Sequence, residues 1–224
     1  MEGFYVIMNQ EFNSDIPIFN IIYKLVLLVL LGILWIVCSL PVITMGAATT
    51  ALYYAVVKSV RRERGHAFSS FFSSFRTNLI HSLFPTILFI GLTGLILFGF
   101  VFLLQVTQEL QAFLFAPYLL IIPLLPILLI LPYYFPVLSR FELPFPAMIR
   151  NCLYYSVRHF ASTVLFLILI AGAVFIAFQF PYLAVFIPGI FCWVISLRME
   201  KILLLYTPEP EESSENAERP WYLE

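Results

Sequence analysis

Charge interrupts this chain so rarely that most of it can be dissolved only in lipid or in its own packed interior. No Asp, Glu, Lys or Arg occurs between Lys24 and Lys58, Arg76 and Glu109, Glu109 and Arg140, or Arg158 and Arg198. A helix rises about 1.5 Å per residue and the bilayer hydrocarbon is about 30 Å thick, so about 20 apolar residues make one crossing. With 62% hydrophobic and 11% charged residues and a mean hydropathy of +0.96, the chain falls outside the soluble range of roughly half apolar and a quarter charged. The expectation is an all-α, polytopic membrane helix bundle whose first partner is the lipid bilayer. A formal net charge of -1 gives no electrostatic footprint for a polyanion, which excludes nucleic acid as a main partner.

Six segments qualify as spans: Ile21 to Leu40, Val42 to Val60, Leu79 to Leu104, Ala112 to Leu138, Phe160 to Phe178 and Tyr182 to Leu197. The second contains Thr44, Thr49 and Thr50 and also reads as a re-entrant half-helix. Apart from Lys24, every Lys and Arg falls in Lys58 to Asn78, Ser139 to His159 or the tail from Arg198, whereas the opposite connections hold one charge, Glu109. Basic short loops mark the cytoplasmic face, so the expected location is the cell membrane, multi-pass, with both termini cytoplasmic. The first twenty residues carry no Lys or Arg, and the run after them is too long for a cleaved signal, so it reads as a retained helix. Residues 1–205 read as one membrane domain. Residues 206–224, with Glu209, Glu211, Glu212, Glu215 and Glu218, read as an acidic, disordered cytoplasmic tail.

The loops carry helical periodicity of their own. Phe68, Phe71, Phe72, Phe75 and Leu79 recur at i, i+3, i+4, i+7 and i+11, with Ser69, Ser70, Ser73 and Ser74 on the other face. The spacing predicts a cytoplasmic interfacial helix over Phe68 to Asn78, phenylalanines toward lipid and serines toward water, with a partner-binding helix as the rival reading. A second such helix is expected over Phe145 to His159, started by Pro144 and Pro146, with Arg150, Tyr154 and Arg158 on one face. Arg61-Arg62-Glu63, Arg140-Phe141-Glu142 and Arg198-Met199-Glu200 end successive helical pairs. They suggest three hairpins returning to one level.

Signatures of chemistry are few. The sequence has no phosphate-binding loop, no H-E-x-x-H helix and no G-x-S-x-G elbow, so neither ATP hydrolysis nor an enzyme of a known motif class is expected. Cys38, Cys152 and Cys192 are isolated and read as packing residues, and no metal or other cofactor is expected. No charge lies well inside an expected span, which argues against a proton-coupled carrier. His81 reads as an interfacial histidine. The pairs Tyr53-Tyr54, Tyr133-Tyr134 and Tyr154-Tyr155 read as an inner anchor belt, with sugar stacking as the alternative. Pro117, Pro123, Pro126, Pro132 and Pro136 kink the fourth segment and remove backbone donors, so this segment should face protein or water at several turns.

The densest feature runs from Leu34-Trp35 through Pro41 and Gly46-Ala47-Ala48-Thr49-Thr50 to Tyr53-Tyr54. Its small residues allow close helix approach, and its threonines can bond across helices. This stretch, the Asp15-Ile16-Pro17-Ile18-Phe19 approach, and Tyr134-Phe135-Pro136 leading to Arg140-Phe141 resemble the YesL-like family of bacterial integral membrane proteins. The resemblance extends to about Leu205. It supplies no catalytic or binding residue; Pro41, Gly46, Thr49, Thr50, Tyr53 and Arg140 match its shared positions and are the candidate functional or packing residues. It implies a role in sugar acquisition, because family members are often encoded beside carbohydrate importers and glycoside hydrolases. The expected function is a non-catalytic accessory component of carbohydrate uptake, contacting the membrane subunit of a sugar importer through the small-residue surface of the second segment and the cytoplasmic helices. The alternative is a small-solute permease without an ATP site. A second copy of the chain is a further candidate partner.

Overall fold

The structure, a computed structural model, describes residues 17–110, 116–141 and 143–207. Asp15 and Ile16, Glu142 and the acidic residues of the expected tail lie outside them. Among the described residues every regular element is helical. Helix α1 is Pro17–Ser39, and a 3-10 turn at Val42–Thr44 leads into α2, Met45–Ala55, which continues as a π-helical turn, Val56–Arg61. Helix α3 is Ala67–Leu110; a single helical turn, Ala116–Leu119, precedes α4, Ile121–Leu138. Then come α5, Phe145–Arg158, α6, Phe160–Gln179, a 3-10 turn at Pro181–Val185, and α7, Ile187–Leu205.

Among the described residues four helices are long and apolar enough to cross a membrane: Asn20–Ser39, Ala67–Val106, Pro117–Leu138 and Phe160–Gln179. The other two expected spans take a different form. In Val42 to Val60 the chain spends three residues on the 3-10 turn and then runs as α2 and its π turn. Ala47, Ala48, Ala51, Ala55, Val56 and Val57 are all fully buried, so this segment is wrapped by protein. The expected sixth span begins as a 3-10 turn, and α7 runs past Arg198 to Leu205.

Contacts set the direction of the first elements. Trp35 Nε1 donates to Thr49 Oγ1 at 3.1 Å, and Lys24 pairs with Glu63 at 2.5 Å, so α1 and α2 are antiparallel with Lys24 beside the following turn. That turn has left-handed backbone at Glu63 (φ 55) and Gly65 (φ 69), and it reverses the chain into α3. Helices α2 and α3 are antiparallel as well: Ser59 Oγ donates to Ser70 Oγ at 3.2 Å, and Gly46 abuts Thr86. Gly46 is required there, since a Cβ would lie 1.9 Å from Thr86 Oγ1 and 2.7 Å from Phe135 Cε1.

The expected boundary between an interfacial helix and the third span is absent, because α3 runs unbroken for 44 residues, about 66 Å at 1.5 Å per residue. Its serine face is split: Ser69 and Ser73 are exposed as expected, whereas Ser70 and Ser74 are not. Ser70, Ser74, Ser82 and Thr86 are buried, while Phe68 and Phe72 are 43% and 42% exposed and Phe71 is in the core. Small polar residues at four-residue spacing let α3 approach α2 closely and spend their hydroxyls locally: Thr86 Oγ1 donates to the Ser82 carbonyl at 2.6 Å. The amphipathic reading assigned serines to water, but inside a membrane bundle small size decides.

The second amphipathic helix forms as expected, with Pro144 as its N-cap. It buries Met148, Cys152, Tyr155 and Ser156 and exposes Arg150, Tyr154 and Arg158. The proline-rich α4 is the most enclosed of the four long apolar helices, with 39% of an apolar 18-residue stretch buried against 11–17% for the others. That burial matches the need of freed carbonyls for neighbours. The tyrosine belt does not form as expected. Tyr53, Tyr133 and Tyr134 are core residues, and of the three pairs Tyr154 is exposed and Tyr54 half-buried.

Candidate functional site

Where α7 passes α2, an ionic cluster gathers around a carboxylate closed off from solvent. On α7, Cys192, Ile195, Ser196, Met199, Ile202 and Leu203 form the buried stripe expected of a packed helix, and Glu200 falls within it at 2% exposure. A carboxylate taken out of water must be paired and hydrogen-bonded, and both of its oxygens are. Tyr53 OH donates to Oε1 at 2.8 Å, and Arg140 Nη2 donates to Oε2 at 2.6 Å from a side chain itself 2% exposed. Arg62 Nη2 lies 3.8 Å from the same Oε2, and Arg61 Nη1 donates to the Ser196 carbonyl at 2.6 Å.

Local structure aims each of these groups. Tyr53 sits on the buried face of α2. Arg140 follows directly on the end of α4, where Ser139 and Arg140 N–H groups bond back to Phe135 and Val137. Arg61 and Arg62 are placed by the π turn, in which the Arg62 N–H donates to the Val57 carbonyl at 3.1 Å, five residues back. Such a turn inserts one residue and rotates everything after it. Burial draws the Arg62 guanidinium below its ordinary value, with Arg140 and Arg61 adding to the effect and Glu200 opposing it.

A second polar node lies between α4, α5 and α6. Tyr133 OH and Thr163 Oγ1 are 2.9 Å apart, Thr163 donates to the Ser156 carbonyl at 2.8 Å, and His159 Nε2 is 3.2 Å from Tyr206 OH. Cys152 packs on the buried face of α5, and burial pushes its thiol up to about 12, which leaves it an inert packing residue. His81 is exposed on α3. Among the described residues no three His, Cys, Asp or Glu side chains come together as metal ligands. An open groove of about 140 Å³ between α3 and α4 is apolar, lined by Ile96, Leu97, Phe100, Leu120, Ile121 and Leu124.

The six residues singled out from the sequence therefore separate into three groups. Tyr53 and Arg140 meet on Glu200. Gly46 and Thr50 belong to the α2–α3 contact, with Thr50 Oγ1 donating to the Gly46 carbonyl at 2.9 Å. Pro41 and Thr49 serve the first hairpin: the Pro41 carbonyl accepts the Thr44 N–H and hydroxyl, and Thr49 receives the Trp35 indole N–H. The small-residue surface of the second segment, expected to meet an importer, is consumed inside the chain's own bundle. Sequence reasoning noted Glu200 only as the end of an Arg-x-Glu; the further signal was a Glu at an apolar position of the i, i+3, i+4 stripe continuing past Arg198. One Arg-x-Glu end from each hairpin contributes to the cluster, although Arg198 itself is exposed and Glu63 pairs with Lys24 instead.

Over residues 28–100 the chain matches a family described as a protein of unknown function, DUF624. The match takes in the second half of α1, all of α2 and α3 to Phe100, and so includes Tyr53 but neither Arg140 nor Glu200. No curated protein and no solved structure matches the chain.

Proposed function

We propose that the protein is a non-catalytic integral membrane component that assists a carbohydrate-uptake system, with six membrane-embedded segments and both termini cytoplasmic. The likeness to YesL-like proteins points toward sugar acquisition. The observation that carries the non-catalytic reading is the closure of the polar cluster: both Glu200 oxygens are engaged by Tyr53 and Arg140. A carboxylate so held ties α7 to α2 and to the end of α4, and it presents no free base to a substrate. With the small-residue surface of α2 internal, contact with an importer subunit falls to the outward pair Phe68 and Phe72 at the start of α3. These two large apolar side chains are exposed on one face of a segment that follows a basic turn.

The rival reading is a passive or exchanging permease, and the enclosed, proline-rich α4 with its buried Tyr133 and Tyr134 favours it. Purified protein in liposomes, given a panel of labelled mono- and oligosaccharides, separates the two. The accessory reading expects no uptake, together with co-purification of an importer membrane subunit that Phe68→Ala with Phe72→Ala abolishes. Saturable uptake by the protein alone would overturn it in favour of the permease.

A further inference from the structure

Helix α5 connects two helices of membrane-crossing length: α4 ends at Leu138 and α6 begins at Phe160. It is therefore held where those helices leave the hydrocarbon. Its inner face is settled by Met148, Cys152, Tyr155 and Ser156. Its outer face carries Arg150, Tyr154 and Arg158 at i, i+4 and i+8, flanked by Leu153 and Val157, which are 38% and 65% exposed. Among the described residues neither Arg150 nor Arg158 has an acidic partner within ion-pair distance, and no acidic residue lies on α5 itself.

This combination fits neither open water nor hydrocarbon. Val157 and Leu153 gain by leaving water, whereas the two guanidiniums require anionic oxygen acceptors. A headgroup layer supplies both, since aliphatic and tyrosyl groups enter the acyl boundary while long arginine side chains reach outward to phosphate. We propose that the outer face of α5 is a binding surface for anionic phospholipid headgroups, with Arg150 and Arg158 on lipid phosphates and Tyr154 seated between them. The assignment rests on the membrane reading of the four long helices. It adds a preference for lipid of net negative charge, which a neutral zwitterionic surface does not satisfy equally. At about 1 kcal/mol for each basic residue close to an anionic surface, two arginines amount to about a thirtyfold preference at low salt, screened as ionic strength rises.

The test uses the full chain with Tyr154→Trp, reconstituted into phosphatidylcholine vesicles containing a small fraction of either brominated phosphatidylglycerol or brominated phosphatidylcholine. Quenching of the indole at position 154 is read after subtracting that of the parent chain. Phosphatidylglycerol is expected to quench well beyond phosphatidylcholine at equal mole fraction. The excess should vanish in Arg150→Gln/Arg158→Gln, shrink in high salt and survive added soluble glycerol phosphate. Equal quenching by the two lipids overturns the anionic preference while leaving the membrane reading intact. Competition by soluble glycerol phosphate overturns the lipid assignment in favour of a free-anion site. Absence of quenching in a chain that resists alkaline extraction from the vesicles overturns the interfacial placement of α5. A chain extracted by alkali removes the membrane reading, and this proposal falls with it.

Discussion

Glu200 matters because of what its removal leaves behind. Glu200→Gln keeps the shape but removes the carboxylate charge that the buried Arg140 side chain meets at 2.6 Å, at a cost of about 3–5 kcal/mol. Tyr53→Phe leaves one carboxylate oxygen without its donor and should cost less, about 2 kcal/mol. Arg140→Gln should be as damaging as Glu200→Gln, and the double variant markedly less damaging than their sum, because the direct contact between the two side chains is lost only once. Thermal denaturation in detergent micelles measures all four, and additive losses would mean that the two side chains act independently. The Lys24–Glu63 pair gives a separate, weaker signal. Hydrogen bonding and attraction to Lys24 hold the Glu63 carboxyl below its ordinary 4.5. Its contribution is therefore present above about pH 4.5 and is lost as pH falls through the lower folded value. Lys24→Gln should flatten that acid limb of a stability–pH profile and change little near neutrality, as expected of a partly exposed pair.

At the scale of elements, Gly46 and Gly189 are two of the glycines that permit close helix contact, and they fail differently when filled. A Cβ on Gly46 meets the end of a side chain, Thr86 Oγ1, whereas one on Gly189 lies 2.0 Å from the Leu28 carbonyl oxygen of α1. Gly46→Ala should be strongly destabilising and partly rescued by Thr86→Ala. No trimming of side chains rescues Gly189→Ala, because backbone has to move. Gly94→Ala, with open space around it, should leave the melting temperature unchanged or slightly raised. The same three sites show what the sequence could and could not disclose. The small-residue run at Gly46 was visible as a packing surface, but its partner was not, since the serines of α3 read as a wet face by periodicity alone. Gly189 gave no signal, because its neighbour is more than 150 residues earlier in the chain. The long apolar helices and the proline-started α5 were legible because hydropathy and turn chemistry act locally. Glu200 required knowing that α7 continues past Arg198 and what lies against it.

For the whole molecule, orientation in the membrane is the property from which every contact with a partner follows, and α3 provides an internally controlled way to read it. Ser73 and Gln105 are both exposed on this one helix, about 48 Å apart at 1.5 Å per residue. That exceeds the roughly 30 Å of hydrocarbon, so a crossing helix must place them on opposite sides. Ser70 would be a poor reporter, since it is buried against Ser59 and would resist labelling from either side. The basic turn at Arg61, Arg62 and Arg64 immediately precedes α3, and basic connections stay on the cytoplasmic side. In a background with Cys38 replaced by Ala, Gln105→Cys should therefore react with an impermeant thiol reagent in intact cells, and Ser73→Cys only after permeabilisation. Cys152 and Cys192 are buried and should contribute little background. The inverse pattern would turn the molecule over and put Phe68, Phe72 and the outer face of α5 outside the cell. Labelling of both positions in intact cells would mean that α3 does not cross at all.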